Sequence, residues 1–181
     1  MSAPGVLDPP VSGLDHAEGP ASAWVTLVEY GDFECPSCGE VFLVLQEVKR
    51  AFGPNLRFVF RHFPLRSSHP HALGAAKAAE AADAQGKFWP MYARLFEHQT
   101  QLTEPDLLRH ARRLGLDVER FQRDTTSRTA EIRIREDLAS GVRSGVNGTP
   151  TLFMQGERYA GPHDRVSLVD ALARAAVATS R

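Results

Sequence analysis

The stretch that decides the fold lies at residues 24–38 and reads WVTLVEYGDFECPSC. Its first half, residues 24–30, is rich in β-branched and aromatic side chains, which favour a strand. A short loop follows, and Pro36 then suits the first position of a helix, where its missing N–H would have had no partner. The stretch therefore predicts a strand and a loop, followed by a helix that opens with a Cys-x-x-C motif.

Working outward, the pattern alternates between strand and helix. Within residues 36–52 the apolar side chains recur at helical spacing, which predicts a helix. Gly53-Pro54 ends this helix before a second strand at 56–63. Two strands joined by a helix predict a parallel pair. Helical periodicity dominates residues 67–144, and a hairpin and a closing helix follow within 145–181. The sequence thus predicts an α/β domain made of residues 23–66 and 145–181, interrupted by an all-helical insertion at 67–144.

The first 22 residues contain four prolines and three glycines, which predicts a flexible N-terminal arm. This arm lacks the basic and apolar regions of a secretory signal, and no apolar run reaches the roughly 20 residues of a membrane-spanning helix. We therefore expect a cytoplasmic protein with no membrane partner. The formal net charge of −1 gives no field that favours nucleic acid.

The chain has two cysteines, Cys35 and Cys38, both in the Cys-x-x-C motif. A secreted domain stapled by disulfides would carry several dispersed cysteines, so this pair indicates chemistry rather than scaffolding. The free N–H groups and the positive dipole end of a helix N-terminus favour a thiolate. We predict that Cys35 is the exposed nucleophile and that Cys38, one turn later, is the shielded resolving thiol.

The cysteines allow two other interpretations. Structural zinc needs four ligands, and the chain has no second cysteine pair; His69 and His71 are weak candidates to complete such a site, so no metal site is predicted. Inert core cysteines are the other alternative, which Pro36 and the helix-start position argue against. His62, near the end of the second strand, is interpreted as a polar contact rather than as a catalytic base.

Two separated segments carry a family resemblance. Residues 26–38 resemble the active-site segment of DsbA-like thioredoxin-fold proteins, and residues 145–153, GVNGTPTLF, resemble their second signature, a loop with a cis-proline that faces the dithiol. The resemblance extends from about residue 16 to the end of the chain. It implies a thioredoxin fold with an inserted all-helical subdomain, and a thiol–disulfide oxidoreductase that needs no bound cofactor.

The resemblance also implies roles for residues around the dithiol. Pro150 would be the cis-proline, and Thr149 would offer its backbone to a bound substrate strand, although the residues alone predict only a turn into a strand. Pro36 and Ser37 would contact substrate beside the nucleophile. Glu29 would be a buried carboxylate that takes a proton from the resolving thiol. For Glu29, an exposed charge at a strand end remains an equal alternative.

Ser37 departs from the family pattern, because the strongly oxidising DsbA enzymes have a histidine before the second cysteine. A neutral hydroxyl favours a reductase or isomerase, whose partners would be protein or peptide thiols and disulfides together with an unidentified redox partner. Two other functions remain open. A glutathione-dependent transferase or isomerase of the kappa type would replace the dithiol with one serine or cysteine, so Cys38 counts against it. A non-enzymatic peptide-binding chaperone would keep only a structural disulfide.

Overall fold

A computed structural model describes residues 5–179 of the chain. Five strands form one sheet in the order β1-β3-β2-β4-β5. The strands are β1 (His16–Glu18), β2 (Val25–Gly31), β3 (Leu56–His62), β4 (Thr151–Met154) and β5 (Glu157–Arg158). The helices are α1 (Pro36–Phe52), α2 (Ala72–Asp83), α3 (Phe88–Glu97), α4 (Glu104–Arg113), α5 (Val118–Thr125), α6 (Arg128–Arg143) and α7 (Arg165–Thr179), and a 3₁₀ turn covers Gly53–Asn55.

The centre of the sheet is the predicted parallel pair. Strands β2 and β3 run parallel in a register from Val25 opposite Leu56 to Gly31 opposite His62, and α1 forms the crossover between them. Strand β4 pairs antiparallel with the other side of β2, and β5 completes the predicted hairpin. The predicted α/β class with an all-helical insertion is confirmed.

Helices α2 to α6 form the insertion between β3 and β4. Helix α4 begins with a capping box in which Thr103 and Asp106 exchange hydrogen bonds, as its sequence indicates. Helix α5 was not predicted. The insertion shares one hydrophobic core with the sheet and α1, and aromatic rings from all three meet there: Phe33, Phe42, Phe58, Phe60, Tyr92 and Phe96. Because the core is continuous, the insertion packs as part of the same domain.

The prediction of a flexible arm over residues 1–22 is wrong for the part that the structure describes. Strand β1 pairs antiparallel with β3, and Leu7 is buried against the sheet. The buried Arg61 of β3 donates hydrogen bonds to Asp15 Oδ1 at 2.7 Å and to the carbonyl oxygen of Pro9 at 3.0 Å. A buried guanidinium needs such partners, and the arm supplies them. Residues 1–4 of the predicted arm lie outside the described residues.

Between residues 5 and 179, no helix combines the length and the apolar composition needed to cross a bilayer.

Candidate active site

The dithiol lies where β2 leads into α1. Cys35 is the N-cap of α1 and Pro36 occupies its first turn, as predicted. The backbone N–H of Cys35 donates to the carbonyl oxygen of Asp32 at 3.2 Å, which closes the loop in front of the helix. Both cysteines are free thiols, and Cys38 is fully buried as predicted. The prediction that Cys35 is exposed is wrong: it is only 6% exposed, because the loop that carries Thr149 lies against its sulfur. Pro36 and Ser37 lie exposed beside the two cysteines. The surface near Cys35 is thus formed by the residues expected to meet substrate.

The pKa values of the two thiols are shifted in opposite directions. A hydrogen bond from Cys38 lowers the pKa of Cys35 to about 5 against the effect of burial, and the Thr149 side chain and the backbone N–H groups of Cys38 and Ser37 add to the shift. Burial is the main cause that raises the pKa of Cys38, followed by its hydrogen bond to Cys35 and the charge of Glu29. At neutral pH the proton therefore stays on Cys38 and Cys35 is a thiolate.

The loop before β4 faces the nucleophile. Cys35 Sγ lies 3.4 Å from the carbonyl oxygen of Thr149, and the Thr149–Pro150 peptide bond is cis. Thr151 Oγ1 donates to the carbonyl oxygen of Gly148 at 2.7 Å and so holds the loop in place. Thr149 Oγ1 is buried and has no hydrogen-bond partner among the described residues by geometry. The structure thus brings the two sequence signatures together, 114 positions apart in the chain.

Glu29 lies fully buried in the middle of β2, so the alternative of an exposed strand-end charge is wrong. Its Oε2 accepts a hydrogen bond from the Tyr92 hydroxyl at 3.4 Å. Burial raises the pKa of Glu29 to about 8, although the charge of Lys49 and the Tyr92 hydroxyl oppose the shift. The site therefore holds a carboxyl group whose pKa lies close to that of an ordinary thiol.

Sequence reasoning missed Tyr92 and Lys49. Lys49 Nζ lies 4.3 Å from the centroid of the Phe58 ring and donates to Glu18 Oε2 at 2.8 Å. A signal was present, because Lys49 follows Leu45 by four residues and so falls on the apolar stripe of α1. A lysine on a buried stripe indicates that its head group meets a specific partner.

Sequence reasoning also missed Asp32. Its buried carboxylate accepts hydrogen bonds from the backbone N–H groups of Glu34 and Leu65, both at 2.8 Å, and from His69 Nδ1 at 2.7 Å. Burial lowers the pKa of His69, but Asp32 and the charge of Cys35 raise it more. His69, a weak metal-ligand candidate from the sequence, instead hydrogen-bonds to Asp32, and the His71 backbone N–H donates to Glu34 Oε2 at 2.6 Å. These contacts fasten the active-site loop to the segment before α2.

Comparison with known proteins identifies the family. A family model described as thioredoxin matches residues 12–174. The chain belongs to the thioredoxin family. A solved thioredoxin-like oxidoreductase from Silicibacter pomeroyi is 32% identical to this thioredoxin-family protein, with a TM-score of 0.81 over 91% of this chain and 93% of that one.

DsbA-like proteins share the fold at lower identity. BdbD from Bacillus subtilis is 20% identical, with a TM-score of 0.85 over 97% of this chain and all of that one. The thiol-disulfide exchange protein alpha-DsbA2 from Wolbachia pipientis is 20% identical, with a TM-score of 0.77 over 87% of this chain and 85% of that one. The resemblance inferred from the two sequence signatures is confirmed.

The curated relatives are much longer proteins. The Na(+)/H(+) antiporter NhaA 1 of Mycolicibacterium gilvum is 45% identical over 160 residues, which are 87% of this chain and 26% of the antiporter. The NhaA 1 of Salinispora arenicola is 46% identical over 165 residues, which are 91% of this chain and 25% of that protein. The chain spans about a quarter of these relatives, so their name describes proteins that extend well beyond the matched region.

Proposed function

We propose that this thioredoxin-family protein is a dithiol–disulfide oxidoreductase that acts on protein or peptide substrates as a reductase or isomerase. The observation that carries the proposal is the placement of Cys35. Its sulfur has a pKa lowered to about 5, lies 3.4 Å from the Thr149 carbonyl oxygen and has the protonated, buried Cys38 beside it. This arrangement provides an attacking thiolate at Cys35 and a protonated resolving thiol at Cys38, which is what two-step disulfide exchange requires.

The reaction proceeds in two exchanges. The Cys35 thiolate attacks one sulfur of a substrate disulfide, the substrate S–S bond breaks, and the second substrate sulfur leaves as a thiolate that takes a proton. Cys38 then loses its proton and attacks Cys35 in the mixed disulfide, which releases the first substrate sulfur and leaves Cys35 and Cys38 oxidised. Glu29 accepts the Cys38 proton when its carboxyl group is ionised, which at neutral pH is the minor form because its pKa is about 8.

The substrate segment is proposed to lie across the loop that ends in Pro150. Thr149 offers its backbone to the extended substrate, as in strand addition, while the exposed Pro36 and Ser37 contact it on the other side of Cys35. A separate redox partner restores the starting state, and no bound cofactor is required. The expected cytoplasmic location stays a prediction.

The proposed direction of electron flow follows from the Cys35 thiolate. Its pKa of about 5 lies between the values of about 3.5 for DsbA and about 7 for thioredoxin. A less stabilised thiolate makes the disulfide less oxidising, and Ser37 contributes no charge to that stabilisation. We therefore expect a potential below that of DsbA.

The test is the reduction potential of the pair, measured by equilibration in glutathione buffers and thiol alkylation. A value from about −270 mV, as in thioredoxin, to about −180 mV, as in protein disulfide isomerase, supports the proposal. A value near that of DsbA, about −120 mV, overturns the proposed direction and makes the protein an oxidase. Absence of any reversible disulfide overturns the oxidoreductase itself.

Two variants separate the alternative functions. Cys38→Ser should accumulate the mixed disulfide with a disulfide-containing peptide or with insulin, and Cys35→Ser, the matched control, should form none. Glutathione-dependent activity that survives Cys38→Ser would instead indicate a kappa-type enzyme. Protection of a client from aggregation that survives Cys35→Ser, without thiol exchange, would indicate a chaperone.

A further inference from the structure

A cluster of two histidines and a glutamate, side chains that can act as ligands, lies outside the dithiol site. His16 of β1, His62 of β3 and Glu80 of α2 converge, with Glu80 Oε1 at 2.6 Å from His16 Nε2 and at 2.7 Å from His62 Nε2. Their possible ligand atoms all lie within 4.8 Å of one another. The three side chains are 10%, 1% and 9% exposed, respectively. Three separate elements thus contribute one polar group each to one largely buried point.

We propose that His16, His62 and Glu80 bind one divalent transition-metal ion, with Zn²⁺ as the favoured ion. Two imidazole nitrogens and a carboxylate oxygen are ligands that Zn²⁺ takes at about 2.0–2.2 Å, and three protein ligands leave a fourth position for water. Neighbouring ligand atoms around tetrahedral zinc lie about 3.3 Å apart. Each distance from Glu80 Oε1 to a histidine nitrogen therefore has to increase by roughly 0.6 Å. A rotation of the Glu80 side chain is large enough to provide this change.

The surroundings of His16 support a ligand role. Asp83 Oδ1 lies 3.7 Å from His16 Nδ1, so a carboxylate faces the ring nitrogen that would not bind the metal. Such outer carboxylates orient metal-binding histidines and strengthen them as ligands. The Phe88 ring stacks on the His16 ring with centroids 3.6 Å apart and fixes its plane. The charges of Glu80 and Asp83 together balance a divalent cation.

The position of His62 is also fixed before any ion binds. Its backbone N–H donates to Asp137 Oδ2 at 3.0 Å, and its ring packs edge-on against Phe60 with centroids 5.4 Å apart. A bound ion would join the N-terminal strand, the sheet centre and the first helix of the insertion. We expect it to stabilise the fold, because it binds only when the three elements are assembled.

The experiment uses the full chain with the Cys35–Cys38 disulfide formed, so that thiolates cannot bind the metal, after treatment with a chelator. Zn²⁺ is titrated by calorimetry, and Co²⁺ serves as a spectroscopic probe. We expect one equivalent of Zn²⁺, a higher Tm that the chelator reverses, and a Co²⁺ spectrum of nitrogen and oxygen ligands. His62→Ala and Glu80→Gln should each weaken binding at least about tenfold. His163→Ala, in the loop before α7, is the matched control and should bind as the unaltered chain.

Absence of stoichiometric binding, or equal binding by Glu80→Gln and the unaltered chain, overturns the metal site and leaves a hydrogen-bonded cluster. If His62→Ala does not fold by circular dichroism, His16→Ala on the edge strand makes the same test. Because the measurement is made on the disulfide form and does not involve thiol exchange, its failure leaves the proposed oxidoreductase untouched.

Discussion

The hydroxyl of Tyr92 donates a hydrogen bond of 3.4 Å to Oε2 of Glu29, and both side chains are buried. The other carboxylate oxygen, Oε1, has no hydrogen-bond partner within the described residues. One long hydrogen bond does not replace the hydration that an ionised carboxylate loses on burial. This is why the pKa of Glu29 rises to about 8, and why the folded protein resists ionising it.

Glu29→Gln should therefore stabilise the disulfide form in a pH-dependent way. Above pH 4.5 the unfolded chain ionises Glu29 while the folded chain keeps it protonated until about pH 8, so the unaltered protein loses stability across that window. The variant carries no such group. We expect the free energies of unfolding, measured with urea, to diverge between these pH values by on the order of a few kcal/mol and to run parallel above them.

The same variant should slow the resolving step, seen as a longer-lived mixed disulfide in stopped-flow measurements. Glu119→Gln, at an exposed position of α5, is the control and should change neither property. Stability curves for Glu29→Gln and the unaltered chain that stay parallel from pH 4 to 9 would contradict a buried carboxyl with a raised pKa.

Thr149→Val should make Cys35 less acidic. The Thr149 side chain helps to lower the pKa of the thiol to about 5, and valine keeps the shape while it removes the hydroxyl. Loss of this polar group beside a charged sulfur should raise the pH midpoint of Cys35 alkylation by about 1 unit. Iodoacetamide labelling rates across pH, followed by mass spectrometry, give the midpoint directly.

Ser37→Ala is the matched control for that measurement. Ser37 acts on the thiolate through its backbone N–H, which alanine retains, so the midpoint should not move. An equal shift in both variants would mean that the hydroxyl of Thr149 has no specific role.

Gly141→Ala should destabilise the protein although alanine favours helices. A Cβ at this position of α6 would lie 2.7 Å from ring carbons of Phe63 and 3.2 Å from Tyr30 Cδ1. Both rings are buried and pack edge to face, so neither moves freely. We expect a loss of about 1–3 kcal/mol in the free energy of unfolding.

Gly74→Ala on α2 is the companion variant. Its Cβ would meet only Leu107 Cδ1 at 3.8 Å, an ordinary contact. Here helix propensity should decide, with a gain of up to about 1 kcal/mol. Denaturation midpoints that shift in the same direction for both variants would refute the packing argument.

Local patterns predicted the elements that carry the dithiol. Helix α1 covers Pro36–Phe52, as its apolar spacing and the following Gly53-Pro54 indicate, and the crossover rule gave the parallel β2–β3 pair. The prediction that Thr149 faces Cys35 rested on the family resemblance, because no local rule relates residues 114 positions apart. The partners of Glu29 and Asp32 were out of reach for the same reason: Tyr92 and His69 approach them only through the packing of the insertion.

The N-terminal segment shows where composition misleads. Its prolines and glycines predicted a loose arm, since these residues weaken regular structure. Short-range patterns could not show that β3 has an edge to be covered, or that Arg61 lies buried with hydrogen bonds to the arm at Asp15, Pro9 and Pro10. The presence of Arg61 among the apolar residues Phe58, Val59 and Phe60 of β3 was the available signal, because a buried charge needs a partner from elsewhere.

Arg61→Met tests whether that partnership holds the segment in place. The Arg61 and Asp15 side chains are 3% and 4% exposed, so the variant leaves a buried carboxylate without its main partner, and we expect a loss of about 3–5 kcal/mol. Limited proteolysis within residues 5–22 should accelerate. Arg57→Met, on the same strand and with a side chain that is hydrogen-bonded to the described part of the arm at the Ser12 carbonyl oxygen at 3.4 Å, should change stability by less than about 0.5 kcal/mol. Replacing both charges, in Arg61→Met with Asp15→Leu, should recover much of the loss, because the penalty comes from the unpaired carboxylate. If Arg57→Met and Arg61→Met cost the same, the arm is held by its strand pairing with β3 and not by this ion pair.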